Sequence, residues 1–253
     1  MNSIVVALLT FGCCLAGAAF GMLLRGMLPK RHLCDGTKET IQLGMGLIAA
    51  MVALVLGLLV AAAMASFDQH RQNLNELATN IVQLDRALAH YGPAAAQPRL
   101  RLREAVADAI ERIWPTGGVP HPELTSERMT SEAEALYSSI RALAPSNDME
   151  RALQSESLST IGELNKTRWN LTQHVDTTIP PVFLALLIVW LTILFVSFGL
   201  FSPVNPTVMV TLLLCAASVA GAMLMIIDLD QPSTGIVQIS NAPLVHALDQ
   251  LGR

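Results

Sequence analysis

Apolar positions along this chain gather into four long runs: Ser3 to Leu24, Ile41 to Phe67, Pro180 to Phe201 and Thr207 to Ile227. None contains Asp, Glu, His, Lys or Arg. A bilayer core about 30 Å thick is crossed by roughly 20 apolar helical residues, so each run is long enough to span it. The first run lacks a basic segment before it and has Arg25, Lys30 and Arg31 after it, which reads as an anchor rather than a cleaved signal peptide. The runs pair into hairpins. One turns through Arg25 to Thr40, the other through the uncharged Ser202 to Pro206.

Between the hairpins, Asp68 to Thr178 carries 15 of the 20 acidic residues and 11 of the 16 Lys and Arg residues. Such a stretch faces water. Leu74, Leu77, Ile81, Leu84 and Leu88 recur in steps of three and four, one stripe on a helix. No Gly or Pro interrupts the chain before Gly92-Pro93, so this helix is expected to continue directly from the second apolar run. Further helices are expected from about Gln97 to Trp114, from Ser126 to Ala144, with capping character at Thr130 or Ser131 and Glu134, and from Asn147 onward. Pro115 to Pro122 reads as a loop. The expected fold class is all-α: an integral membrane protein of four transmembrane helices, with a helical extramembrane domain inserted between the second and third. The expected boundaries are 1–67, 68–178, 179–227 and a C-terminal tail at 228–253.

Composition agrees with a lipid solvent, since mean hydropathy is +0.48 and only 14% of residues are charged. The net charge of -4, without a dense basic cluster, makes nucleic acid an unexpected partner. Cys13, Cys14 and Cys215 fall in apolar runs and only Cys34 in an aqueous loop, so neither a disulfide framework nor a metal spacing emerges. The Gly44-Met45-Gly46 and Gly36-Thr37-Lys38 segments lack the context of nucleotide-binding loops, and His121 and Glu123 read as solvated surface. No nucleophile and base pair is evident. Neither an enzyme nor a bound cofactor is expected.

The spans do carry small residues at helical spacing: Gly46, Ala50, Ala53, Gly57 and Ala61 on the second, Thr211, Cys215, Ser218 and Ala222 on the fourth, and Thr10, Cys14, Gly17 and Gly21 on the first. Such a face serves either close helix packing or, on the second span, the wall of a narrow pore. The third span is bulky, with Phe183, Leu187, Trp190, Leu194, Phe195 and Phe198, as expected of a helix facing lipid. Asp68, His70 and Arg71 leave the second span, and His174 and Asp176 enter the third at the same membrane face. These are pore-mouth candidates, because rings of charge in an oligomer select ions; polar residues that merely mark the interface are the alternative. Beyond the fourth span, Asp228 and Asp230 offer too few oxygens for a divalent cation and, with Pro232 and Gly235, read as a turn.

The segment from Asp228 through Asp230, Pro232 and Gly235 to Val237, Ser240 and Pro243 is similar to the ending of the bestrophin-like domain family, although Gln231 stands where that family commonly has a basic residue. Asp68 to Arg71, followed by Glu76, Asn80 and Arg86, resembles that family's segment after its second span, and Pro180-Pro181 fits its third. The resemblance covers about Ile41 to Leu244. It implies four spans, an inserted helical domain and a homo-oligomeric channel, a pentamer by bestrophin analogy, with the second span around the pore. Inorganic anions such as chloride, the lipid bilayer and further copies of the chain are then the expected partners. A bacterial inner membrane and a cytoplasmic helical domain are the expected location. The competing reading is a non-conducting scaffold or sensor whose helical domain binds another protein through the heptad-like stripe Leu74 to Leu88, so that charge at Leu77 and Ile81 would release the partner.

Overall fold

The computed structural model describes residues 3–27, 35–114, 125–173, 180–230 and 239–252. Among these residues all regular structure is helical. In chain order the helices are α1 (Ser3–Met27), α2 (Asp35–Tyr91), α3 (Ala96–Ile113), α4 (Thr125–Arg141), α5 (Asp148–Gln173), α6 (Pro181–Phe201), α7 (Pro206–Asp230) and α8 (Ala242–Gln250). A single 3-10 turn, Pro93–Ala95, links α2 to α3.

Local chemistry sets these boundaries. The 57 residues of α2 run without interruption until Gly92, whose φ of 104° leaves the helical region and is followed by Pro93. A reciprocal capping box starts α5: the backbone N–H of Glu150 donates to Asn147 Oδ1 at 2.8 Å, and its carboxylate accepts from the Ser146 backbone N–H at 2.7 Å. Helix α4 begins at Thr125, so Thr130 and Ser131 lie inside it rather than at its cap. Four helices, α1, α2, α6 and α7, are long and apolar enough among the described residues to cross a membrane.

The chain divides into two compact units, Met1–Asp68 with Thr177–Gln238, and Gln69–Asp176 with Ile239–Arg253. In the first, α1 packs on α6 and α7 around Cys14, Leu187, Phe195, Ala216, Met223 and Ile226. The α1–α6 crossing is close because glycines stand where other side chains would intrude. A methyl group on Gly17 would lie 2.9 Å from the Thr192 carbonyl oxygen. On Gly21 or Gly199 it would overlap the carbonyl oxygens of Val196 and Ala18 outright. Arg25, in the last turn of α1, donates to the Ser202 carbonyl at the end of α6, placing a cation where both helix dipoles favour one.

The expectation that the third span simply faces lipid needs correction. Leu184, Leu187, Leu191, Leu194 and Phe195 of α6 are buried in the first unit's core, while Val182, Phe183, Leu186, Val189, Ile193 and Phe198 are exposed. Bulk occurs on both sides because Leu187 and Phe195 fill the first unit's core, while the contact with the α1 glycines is made by Thr192, Val196 and Gly199.

The second unit is built on the C-terminal half of α2. Leu74, Ile81, Leu84 and Leu88 are buried there with Leu102 and Val106 of α3, Leu136 and Ile140 of α4, and Ile161 of α5. Helix α8 lies in the stretch expected to be a tail, and Leu244, Ala247 and Leu251 complete this core. Trp114 Nε1–H donates to the Ile239 carbonyl at 3.3 Å, fastening the segment ahead of α8.

Candidate functional site

The small-residue stripes of α1 and α2 look alike in sequence but occupy opposite environments. Thr10, Cys14, Gly17 and Gly21 are all buried, so the α1 stripe is a packing seam within the chain. Gly46, Ala50, Ala53, Gly57 and Ala61 are all exposed. An added methyl at Gly46 or Gly57 would meet nothing within 4 Å. The buried residues of this part of α2 are instead Val52, Leu59 and Ala63, on the opposite side of the helix. Exposed Leu43, Leu47, Leu54 and Leu58 occupy the arc beside the small face. On α7, Thr211, Cys215 and Ser218 are likewise exposed, whereas Leu212, Ala216, Ala220 and Met223 form the buried side.

The same face of α2 changes character beyond the apolar run. Steps of three and four residues lead from Ala61 through Met64 to Asp68 and Arg71, all exposed. Asp68 and Arg71 make no ion pair or hydrogen bond among the described residues. His70 is half-buried and engaged in an interaction. The other mouth candidates, His174 and Asp176, lie outside the described residues, as do Pro232 and Gly235. Asp228 lies in the last turn of α7, only 2% exposed and not without a partner. Asp230 ends that helix, its side chain outside the description.

One polar centre escapes the sequence reading. Asp85 is 4% exposed and accepts two hydrogen bonds from Arg99 of α3, from Nε and Nη2, each at 2.8 Å. The backbone N–H of Gly252, just past α8, donates to the same carboxylate at 3.3 Å. Burial pushes the Asp85 carboxyl up, but the Arg99 hydrogen bonds, the Gly252 N–H and the guanidinium charge outweigh it and hold the carboxyl below its ordinary range. A carboxylate four residues after Ile81 on an otherwise apolar stripe is the signal that could have found it. Its chemistry is structural, a clamp joining α2, α3 and the end of α8. Among the described residues no group of His, Cys, Asp and Glu could hold a metal ion.

Comparison with known proteins places this geometry in a family. The model of the bestrophin-like domain matches residues 12–244. Two variants of a bacterial bestrophin homologue from Klebsiella pneumoniae have the same fold. One has a TM-score of 0.67 at 15% identity, covering 99% of this chain and 98% of that one. The other has a TM-score of 0.65 at 13% identity, with both chains covered completely, 100% each. A further crystal structure, described as a membrane protein, aligns with a TM-score of 0.63 at 14% identity over 100% of both chains. At such identities the likeness is one of fold. No curated protein matches the sequence.

Proposed function

Because the chain belongs to the bestrophin-like domain family, we propose that this membrane protein is a homo-oligomeric ion channel, selective for anions, whose pathway is walled by the exposed small face of α2. One observation carries this reading: Gly46, Ala50, Ala53, Gly57 and Ala61 face away from their own chain, opposite Val52, Leu59 and Ala63. Such small side chains leave room for water and ions along an axis, whereas the neighbouring leucines suit lipid or an adjoining subunit. Without charge on this wall, the span gates by dewetting, and selection falls to Asp68, His70 and Arg71, joined by His174 and Asp176.

In this reading α1, α2, α6 and α7 cross a bacterial inner membrane. Residues 68–178 form a water-facing helical domain on the cytoplasmic side, and 228–253 follow the last span. Five copies and chloride as the permeant ion follow from analogy with bestrophins. The scaffold reading loses its particular support, because the stripe meant for a partner is occupied: Leu74, Ile81, Leu84 and Leu88 are core residues and Leu77 is half-buried.

Planar bilayers containing the purified oligomer test conduction. Unitary currents are expected, and Ala53→Trp or Gly57→Trp should reduce them without dissociating the oligomer. Silent bilayers from intact wild-type oligomer, across a range of pH and calcium, would refute conduction.

A further inference from the structure

The face of α2 that carries the small residues does not end at the candidate mouth. Continuing in steps of three and four from Arg71 leads to Asn75, Thr79, Val82 and Arg86, and all of these but the half-buried Val82 are exposed. Buried positions keep to the other side of the helix: Leu74, Ala78, Ile81, Asp85 and Leu88 on one flank, and Asn73, Asn80, Leu84 and Ala87 on the next. In the second unit's half of α2 the uncovered strip is thus Arg71, Asn75, Thr79, Val82 and Arg86, polar where the first unit's stripe is small and apolar.

Charge along this strip is unbalanced. Its ionisable side chains are Arg71 and Arg86, two cations, and the one anion just before it on the same face is Asp68. Neither arginine has a counter-ion among the described residues. Of the other acidic groups of this half of α2, Asp85 is held by Arg99, and Glu76 lies off the strip, one helical turn or more from Arg71 and Arg86. Thr79 Oγ1 donates to the Asn75 carbonyl at 2.9 Å, which keeps its proton on the helix and leaves the attraction of anions to the two arginines.

We propose that Arg86 is a charge-selecting residue of the ion pathway, acting with Arg71 to concentrate small inorganic anions along a polar vestibule lined by Asn75 and Thr79. This rests on the conduction reading above. In a symmetric oligomer with this face towards the axis, each Arg86 repeats as a ring of guanidinium groups, none of them ion-paired among the described residues. Such a ring raises local anion concentration electrostatically and leaves each ion weakly bound and free to leave. Its influence must fall as salt screens it.

The test is the permeability ratio of chloride to potassium, from reversal potentials of purified oligomer in planar bilayers under a KCl gradient. One unit charge acting through water at about 7 Å changes local ion concentration roughly threefold. Because losing that charge lowers chloride and raises potassium by the same factor, Arg86→Gln is expected to lower the ratio about tenfold and Arg86→Glu about a hundredfold at low salt, both effects shrinking in molar KCl. Arg141→Gln, an exposed cation on α4, is the control for net charge and should leave the ratio unchanged. Arg86 variants that conduct with the wild-type ratio, or an equal change from Arg141→Gln, would overturn the assignment while leaving conduction intact. A silent wild-type oligomer would instead refute conduction itself. Elution of the Arg86 variants as wild-type oligomer completes the experiment, and dissociation caused by both variants would reassign Arg86 to assembly.

Discussion

Replacing Gly21 by Ala puts a methyl group onto the carbonyl oxygen of Val196, a backbone atom that cannot rotate aside. The α1–α6 crossing must open to admit it, and overpacking of this kind costs about 1–3 kcal/mol. The upper part of that range applies because the obstacle is backbone and Thr192 and Gly199 lie along the same seam. Against this, Ala gains about 0.5–1 kcal/mol over Gly inside a helix. The net loss is then about 2 kcal/mol. Gly12, on the same helix, provides the matched comparison, since a methyl there meets nothing within 4 Å and only the helix-propensity gain remains. For a chain of this size about 1 kcal/mol moves Tm by roughly 2–4 °C. Thermal unfolding in detergent, followed by circular dichroism, should therefore show Gly21→Ala lower by about 4–8 °C and Gly12→Ala higher by about 1–4 °C. Equal shifts of the same sign would refute the assignment of the first stripe to close packing.

Asp85→Asn removes the charge that Arg99 and the Gly252 N–H address, and should destabilise the second unit by about 2–3 kcal/mol, read as a lower urea midpoint. Because the folded carboxyl titrates below its unfolded value, its contribution is fully present above about pH 4 and fades as pH falls through the folded pKa. The wild type should thus lose more stability than Asp85→Asn on acidification below pH 4, measured by urea unfolding at stepped pH. Ile81→Asp buries a carboxylate in the second unit's core and should cost about 3–5 kcal/mol, seen as rapid proteolysis rather than as loss of one binding partner. Leu244→Asp should likewise loosen α8 and expose the C-terminal segment to carboxypeptidase without lowering the α1–α6 packing measured at Gly21.

The four long apolar helices were legible as uncharged runs, and α2 was legible as one helix because Gly92-Pro93 is its first breaker. The capping pattern Asn147 to Glu150 was equally available as the start of α5. Helix α8 escaped notice for a physical reason: nine residues with Leu244 and Ala247 as buried positions give too little periodicity to stand above a tail. The side chosen by each small-residue stripe could not be read at all. Gly17 and Gly21 meet Thr192 and Val196 only because α6 crosses α1 there, whereas α2 turns Ala53 and Gly57 away from its neighbours; both stripes are small residues at the same four-three-four spacing. Bulk on α6 misled similarly, since Leu187 and Phe195 fill the core while Phe183 and Phe198 do not. Asp85 stood on an apolar stripe, but its clamp needed Arg99 and Gly252, which only the tertiary fold supplies.

Imaging the purified particle in detergent, at a resolution that traces helices, tests most directly whether the uncovered face of α2 surrounds an ion path. A rotationally symmetric ring is expected, with an open axis and Gly46, Ala50, Ala53, Gly57 and Ala61 as its innermost residues. A monomer, or a ring that turns this face outward to the detergent belt, would contradict it.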